Sequence, residues 1–456
     1  MPLHLAGKNV LVVGLARSGS AAARLAARKG AHVTVTDRRG AGELAGALAP
    51  LEGLGFSLAL GGHDEAHFTS ADLVVISPGV PFSLPPLAAA KRAGVPILGE
   101  VEFAWRLLGN LPVVAITGTN GKSTTTALTG RLFQEDRAAF VGGNLGTPLS
   151  ELALEGKQVD VAVVELSSFQ LEGIERFRPR VAAILNVTPD HLDRYPGMDS
   201  YAAAKARLFE NQQPGDVAVA NERDPGAMAA ARSSRGEVVT FGFGPRAPMS
   251  ARDDGEVVRF TGPTGEPERY RIRSRALRGR HNRENAMAAL TCARIMGVPG
   301  PAVQRGLDGF PGLPHRLELV AERGGVEWVN DSKATNVDST AVGLAAFPAG
   351  TPSVILLLGG RGKQSPYAPL APLFPGRVKA LLTLGEDAPA IERELGGLAP
   401  TESCGDLPTA VARAARLAAP GDVVLLSPAC ASYDQFRSYE DRGETFRRLA
   451  SAAPVP

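Results

Sequence analysis

The chain has 456 residues, with 49 Lys plus Arg against 47 Asp plus Glu and a formal net charge of +2, so no basic excess points to nucleic acid or an anionic membrane. At 44% hydrophobic, 21% charged and 5% aromatic it reads as a soluble α/β protein, long enough at ~150 residues per domain for three domains. Cys292, Cys404 and Cys430 are scattered without CxxC spacing, which argues against a disulfide framework or structural zinc and fits a reducing cytosol. Residues 1–7 lack a charged-then-apolar leader pattern, and no apolar run nears the ~20 residues of a membrane span. A cytoplasmic, monomeric protein is expected.

In chain order, the apolar run 9–13 predicts a buried strand, followed by a turn holding Gly14, Leu15, Ala16, Arg17, Ser18 and Gly19 and an alanine-rich helix ending near Gly30. A second strand, 31–37, closes on Asp37, with Arg38 next. This is a βαβ nucleotide-binding opening, but Ala16 replaces the glycine that would let a pyrophosphate press on the backbone. A dinucleotide site and a plain structural turn both fit it. The strand 72–76 leads to a turn containing Gly79, again at a carboxyl end, and a first domain boundary falls near residue 100.

The strand 113–116 then runs into Gly118, Thr119, Asn120, Gly121, Lys122, Ser123 and Thr124, and a helix follows. Strand, glycine turn and helix make a phosphate cradle: the glycines clear side chains from the backbone N–H groups, and the helix N-terminus faces the anion. Lys122 supplies a charge for β/γ-phosphates, and the Ser123 or Thr124 hydroxyl suits Mg²⁺. Ile116 stands where the usual pattern has its first glycine, so this is a variant P-loop. Its bland alternative is an ordinary strand-to-helix turn.

Beyond it come a glycine-rich turn with Asn144, a buried strand 161–165 ending on Glu165, and the strand 181–187 with His191 in the polar turn after it. A carboxylate at a strand end one element after a P-loop is placed to hold a phosphate-bridging Mg²⁺. His191 fits either a ligand or a structural role. Residues 200–212 predict a helix with Tyr201, Ala204, Leu208 and Phe209 as its apolar stripe, and Lys205 within it reads as a solvated, snorkelling side chain. Residues 232–275 look like a small β insertion. A helix from Arg280 to about Met296 carries Asn285, either a polar edge for adenine or a normal helix-start residue. A Gly/Pro-rich joint puts the second boundary near 312, giving domains 1–100, 101–312 and 313–456.

In the last domain a strand enters a cluster with seven polar residues in the nine from Asp331 to Ser339, denser than a turn requires. Strands 354–358 and 423–426 end on further polar rims, with Lys363 after the first and Ser427 to Phe436 after the second. The expected fold is three α/β domains: Rossmann-like, P-loop-type with a mostly parallel sheet, and Rossmann-like again.

Taken together, the stretches 118–124, 142–146, 165–171, 186–195, 330–336 and 427–436 resemble the Mur ligases of peptidoglycan synthesis, and within them the D-glutamate-adding branch. The resemblance covers essentially the whole chain. It implies domains for UDP-sugar, ATP and amino-acid binding, and ATP-dependent amide formation through an acyl phosphate. By position it implies ATP contacts from the loop, Asn285, Arg316 and Asp331; uridine-diphosphate contacts from Leu15, Arg17, Ser18, Asp37, Arg38, Gly79 and Asn144; and a D-glutamate pocket of Thr335, Lys363, Ser427 and Phe436. It further implies two Mg²⁺ sites on Ser123, Glu165, His191 and Lys205, with Lys205 carbamylated, which reverses the snorkelling reading. Sister ligases for other amino acids, including a folate-glutamate type, share the loop and are separated from this reading only by the third-domain pocket. A P-loop switch would instead hydrolyse ATP without any amino acid, and Ala16 argues against a nicotinamide dehydrogenase.

Overall fold

The computed structural model describes residues 3–191, 194–243, 250–253, 257–262, 265–363 and 365–453. Among the described residues twenty strands form three sheets. β1 (Asn9–Val13), β2 (His32–Asp37), β3 (Ser57–Leu60), β4 (Leu73–Ile76) and β5 (Ile97–Gly99) make the first, in the order β3-β2-β1-β4-β5. All four of its pairings are parallel.

The central sheet has β6 (Val113–Thr117), β7 (Ala139–Gly143), β8 (Val161–Glu165), β9 (Val181–Ile184), β10 (Val217–Asn221), β11 (Glu237–Gly242), β12 (Ser250–Asp253), β13 (Val257–Thr261) and β14 (Pro267–Arg271). Their order is β14-β13-β12-β11-β10-β9-β6-β8-β7. Pairing is parallel from β7 through to β12 and antiparallel only between β12, β13 and β14. The stretch expected to be a small β insertion is made of short strands that extend the central sheet, with β12 hydrogen-bonded onto the edge of β11. Residues 244–249, 254–256 and 263–264 of that stretch lie outside the described residues.

β15 (Glu318–Arg323), β16 (Val326–Asn330), β17 (Val354–Gly359), β18 (Val378–Leu384), β19 (Thr401–Gly405) and β20 (Val423–Leu426) form the third sheet, in the order β15-β16-β20-β17-β18-β19, with only β15 antiparallel. β6, β8 and β17 are buried at every position, as expected of parallel strands covered on both faces by helices. Each such Val, Leu or Ile contributes roughly 1.5–3 kcal/mol by leaving water.

The chain forms two compact units, one of residues 1–272 and 284–308 and the other of 273–283 and 309–456. The first unit holds the first two sheets. They are joined closely: Gly99 N–H donates to the Gly173 carbonyl at 2.9 Å, and a Cβ on Gly99 would lie 3.0 Å from the Gly173 Cα. Beside this join the fully buried Glu102 carboxylate accepts the backbone N–H groups of Glu175, Arg176 and Phe177. The second unit holds the third sheet, with apolar cores on both of its faces.

Candidate active site

β6 delivers the chain into the phosphate-type loop at its carboxyl end, and the helix Lys122–Gln134 leaves it. Gly118 has φ +149 and Gly121 φ +84, backbone states that a side chain rarely adopts. A Cβ on Gly121 would also collide with the Asn285 amide oxygen, so the buried Asn285 sits directly on the loop. Asn186, just past β9, braces the loop: its Oδ1 accepts Asn120 N–H at 2.8 Å, and its carbonyl accepts Thr119 N–H at 2.9 Å.

Two lysines converge here. Lys122 Nζ donates to the carbonyls of Gly118 at 2.8 Å and Thr119 at 2.7 Å, and Lys205 Nζ donates to the same Gly118 carbonyl at 2.9 Å. Lys205 is only 1% exposed, so the snorkelling reading of its sequence context is wrong. Its helix is Met198–Ala206, continued by a 3₁₀ turn at Arg207–Phe209, rather than one helix to Gln212. Buried Tyr201, Ala204, Leu208 and Phe209 follow the expected stripe, and Lys205 lies beside it with the Tyr201 ring 4.6 Å away. Burial, reinforced by the neighbouring Lys122 charge, pulls the Lys205 ammonium down to about 7. A large share of this amine is therefore neutral, and hence nucleophilic, near neutral pH.

That shift has a stability consequence. Between pH 7 and about 10.5 the unfolded chain holds the Lys205 proton and the folded chain does not. Lys205 should therefore add stability as pH rises through this window, with a slope approaching about 1.4 kcal/mol per pH unit. Denaturant titrations of the wild type and Lys205→Met in carbonate-free buffer should diverge upward with pH; a constant difference would contradict the shift.

Glu165 ends β8 beside the loop and is 1% exposed. Its Oε1 accepts from Asn144 Nδ2 at 2.6 Å, and its carbonyl accepts Asn144 N–H at 2.9 Å. Its Oε2 is buried without a hydrogen-bond partner among the described residues. A buried, unpartnered carboxylate oxygen suits a cation, so the residues present fit a divalent metal with oxygen ligands. Among the described residues no three His, Cys, Asp or Glu side chains form a ready metal cluster. A hard divalent ion on Glu165 would keep several waters or phosphate oxygens as ligands. Asn144, expected on the uridine side, thus holds the carboxylate. His191 has left-handed backbone, φ 54, and its ring lies 4.9 Å from Phe169 and 6.2 Å from Tyr201. Leu192 and Asp193 of the same motif lie outside the described residues.

At the carboxyl edge of the first sheet, Leu15 N–H donates to Asp37 Oδ2 at 2.7 Å, and Arg39 grips Asp37 bidentately at 3.0 and 2.8 Å. Burial opposes the Asp37 charge, but Arg39 and the N–H groups of Arg39 and Leu15 outweigh it and hold the carboxyl well below the usual range. Arg39, not the exposed Arg38, is the guanidinium ordered across this rim. Its spacing from Asp37 was the only clue in the sequence. A Cβ on Gly19 would strike the Gly14 carbonyl, so glycine is needed there for helix-to-turn contact even though Ala16 breaks the dinucleotide pattern. Arg17 donates to the Gly146 carbonyl at 3.1 Å, tying this turn to the glycine-rich turn after β7. Ser18 is half-buried in the same turn, and Gly79 is exposed beyond β4 on the same edge.

In the second unit, Asp331 and Ser427 follow β16 and β20, and both are buried. Ser427, expected in the amino-acid pocket, is completely enclosed and donates to Asp331 Oδ2 at 2.8 Å. Burial raises the Asp331 carboxyl to about 7. Thr335 is half-buried, Lys363 is exposed just past β17, and Phe436 packs partly against the core. Arg316 is half-buried between His315 (φ 62) and Leu317 (φ 44), left-handed states costing roughly 1–3 kcal/mol each in non-glycine residues. Asn285 belongs to the first unit, and Arg316 and Asp331 to the second. Sequence reasoning missed Arg442. It is 1% exposed, and its guanidinium donates to Ser332 Oγ at 3.0 Å and to the carbonyls of Ser332 at 2.9 Å and Cys430 at 3.1 Å, joining the loops after β16 and β20. Its register with buried Phe446 and Ala450 in the helix Tyr439–Ala452 was the available signal.

Three family descriptions match the chain: MurD-like N-terminal domain over residues 8–99, Mur ligase middle domain over 116–293, and Mur ligase glutamate ligase domain over 315–430. A UDP-N-acetylmuramoylalanine–D-glutamate ligase of Anaeromyxobacter dehalogenans is 71% identical, covering 98% of each chain. One of Myxococcus xanthus is 52% identical over 99% of this chain and 100% of its own. In fold, the chain is similar to MurC of Thermotoga maritima, with TM-score 0.60 at 19% identity, covering 98% of this chain and all of that one. MurF of the same organism, in complex with ADP, gives TM-score 0.60 at 18% identity over 99% and 96%. With these three descriptions matching most of the chain and relatives this similar from end to end, the chain belongs to the Mur ligase family.

Proposed function

We infer that this protein is an ATP-dependent ligase that forms an amide between D-glutamate and UDP-N-acetylmuramoyl-L-alanine in peptidoglycan precursor synthesis. The observation that carries the reading is the end-to-end 71% identity with a ligase of that name, and the loop geometry supplies matching chemistry. The substrates are small molecules. Among the described residues no helix is long and apolar enough to cross a membrane. We take the protein to act as a cytoplasmic monomer, organised as domains 1–100, 101–312 and 313–456.

A carboxylate is a poor electrophile. Its oxygen attacks the γ-phosphorus of ATP, the bond to ADP breaks, and an acyl phosphate forms. The D-glutamate amine adds to the acyl carbon, loses a proton, and the tetrahedral adduct expels phosphate. The first step brings two anions together, so cationic screening decides its rate. Lys122 supplies it from the loop, and Asn285 abuts the loop where adenine would be read. Glu165 and Ser123 would hold a Mg²⁺, with His191 and Lys205 at a second site; the metal supplies further screening of phosphate charge. A neutral Lys205 amine can add CO₂ and release a proton to become a carbamate, turning a cation into an oxygen ligand. Leu15, Arg17, Ser18, Asp37, Arg38, Gly79 and Asn144 would hold the uridine diphosphate, with Arg39 fixing Asp37, and Thr335, Lys363 and Phe436 the amino acid. Arg316 would meet the γ-phosphate and Asp331 the ribose.

Phosphate release measured with UDP-N-acetylmuramoyl-L-alanine, ATP and a panel of amino acids should depend on D-glutamate alone. Equal support by L-alanine or a diamino acid would replace this reading with a sister ligase, and release without any amino acid would point to a simple ATPase.

A further inference from the structure

Ser427 is one of the residues expected to line the amino-acid pocket, yet it is 0% exposed. Its hydroxyl donates to Asp331 Oδ2 at 2.8 Å. The other oxygen of that carboxylate, Oδ1, accepts the backbone N–H of Leu317 at 3.2 Å, and Asp331 N–H is itself fixed on the Leu426 carbonyl at 2.8 Å. A helix seats on this carboxylate as well: a Cβ on Gly343 would lie 2.6 Å from Oδ2. The Leu317 N–H so held belongs to one of the two left-handed residues that flank Arg316. The other, His315, is held through its carbonyl, which accepts Lys333 N–H at 3.1 Å. An unfavourable backbone persists where its surroundings over-determine it. These two hydrogen bonds act here together with His315 N–H donating to Glu318 Oε2 at 3.0 Å and the His315 ring against Asn330 Nδ2 at 2.9 Å, and only the Leu317 bond runs through Asp331.

We propose that Ser427 is a positioning residue for Arg316, acting through Asp331 and the Leu317 N–H, and not an amino-acid contact. The chain of contacts runs from the end of β20, across the Asp331 carboxylate, to the strained turn that presents Arg316. Ser427 fixes which way the carboxylate faces, because its hydroxyl claims one oxygen and leaves the other for Leu317. This rests on the proposed function only in taking Arg316 as a group that meets ATP.

The test is steady-state kinetics, with ATP and D-glutamate varied separately, on Ser427→Ala, Arg316→Ala and the double variant. Ser427→Ala should lower kcat/KM for ATP by about ten- to a hundredfold, the range for losing a hydrogen bond to a charged group. The KM for D-glutamate should stay within about twofold, since a uniform-binding contact is not being removed. In the Arg316→Ala background the Ser427 change should add little, because the residue it acts through is gone. Ser427→Cys keeps the side-chain volume with a weaker donor and should show the same pattern should the alanine variant fail to fold. A D-glutamate KM raised more than that for ATP, or effects of Ser427 and Arg316 that multiply, would overturn the proposal. Wild-type enzyme that ignores D-glutamate would instead overturn the function, so the two failures are separable.

Discussion

Lys122→Ala is expected to lower kcat by about three orders of magnitude, in the range of removing one preorganised charge stabiliser from a transition state. The lysine sits on the loop it serves, donating to the carbonyls of Gly118 and Thr119. That places its charge over the cradle, where phosphoryl transfer develops its own negative charge. Folding should survive, because the loop is independently braced by Asn186 and by the glycine geometry at positions 118 and 121. Thermal unfolding within a few degrees of wild type, together with the collapse in turnover, is the expected result. Near-normal turnover in Lys122→Ala would show that the nucleotide reacts elsewhere.

The second large effect is expected at Lys205. Lys205→Ala should cost about two to three orders of magnitude, because the side chain shares the Gly118 carbonyl with Lys122 and lies inside the site. Lys205→Arg should be no better: a guanidinium stays protonated and cannot add CO₂. The buried amine, pulled down to about 7, can. If its working form is the carbamate, formate or acetate should partly restore Lys205→Ala by supplying a carboxylate in the vacated space. Isotope-labelled bicarbonate should give the wild type a carbamate carbonyl signal that Lys205→Arg lacks. No rescue and no such signal would leave Lys205 as an amine that only braces the loop.

How far the site could be read from residues alone differs from place to place. The phosphate loop was legible because its chemistry is local: strand, glycines, lysine and helix are consecutive, and backbone sterics make them one object. Glu165 was legible because a carboxylate at the end of a fully apolar strand has few bland explanations. Lys205 was not. Its neighbours in sequence predict a solvated face, and only the packing of its helix against the loop encloses it. Arg38 and Arg39 are adjacent and chemically alike, so which of them pairs with Asp37 waited on the strand end that aims Arg39 at it. Ser427 lay in a motif rich in small polar residues, where nothing local tells a ligand contact from a buried brace. The 232–275 stretch was legible as β structure from its short strands, but not the edge on which they pair, which is set by distant residues.

By itself the sequence determined the class of fold, the parallel character of the three sheets, the glycine loop between strand and helix with its lysine, and the family. All of these rest on periodicity and on contiguous motifs, which survive without knowledge of distant neighbours. Only the tertiary structure decided which side chains are enclosed: Lys205 beside Lys122, Glu165 with one oxygen left over, Asp331 between Ser427 and Leu317, and Arg442 across two loops. Burial and hydrogen-bond partners are set by residues far apart in the chain. Protonation and positioning follow from those partners, so they emerge only once the chain has folded.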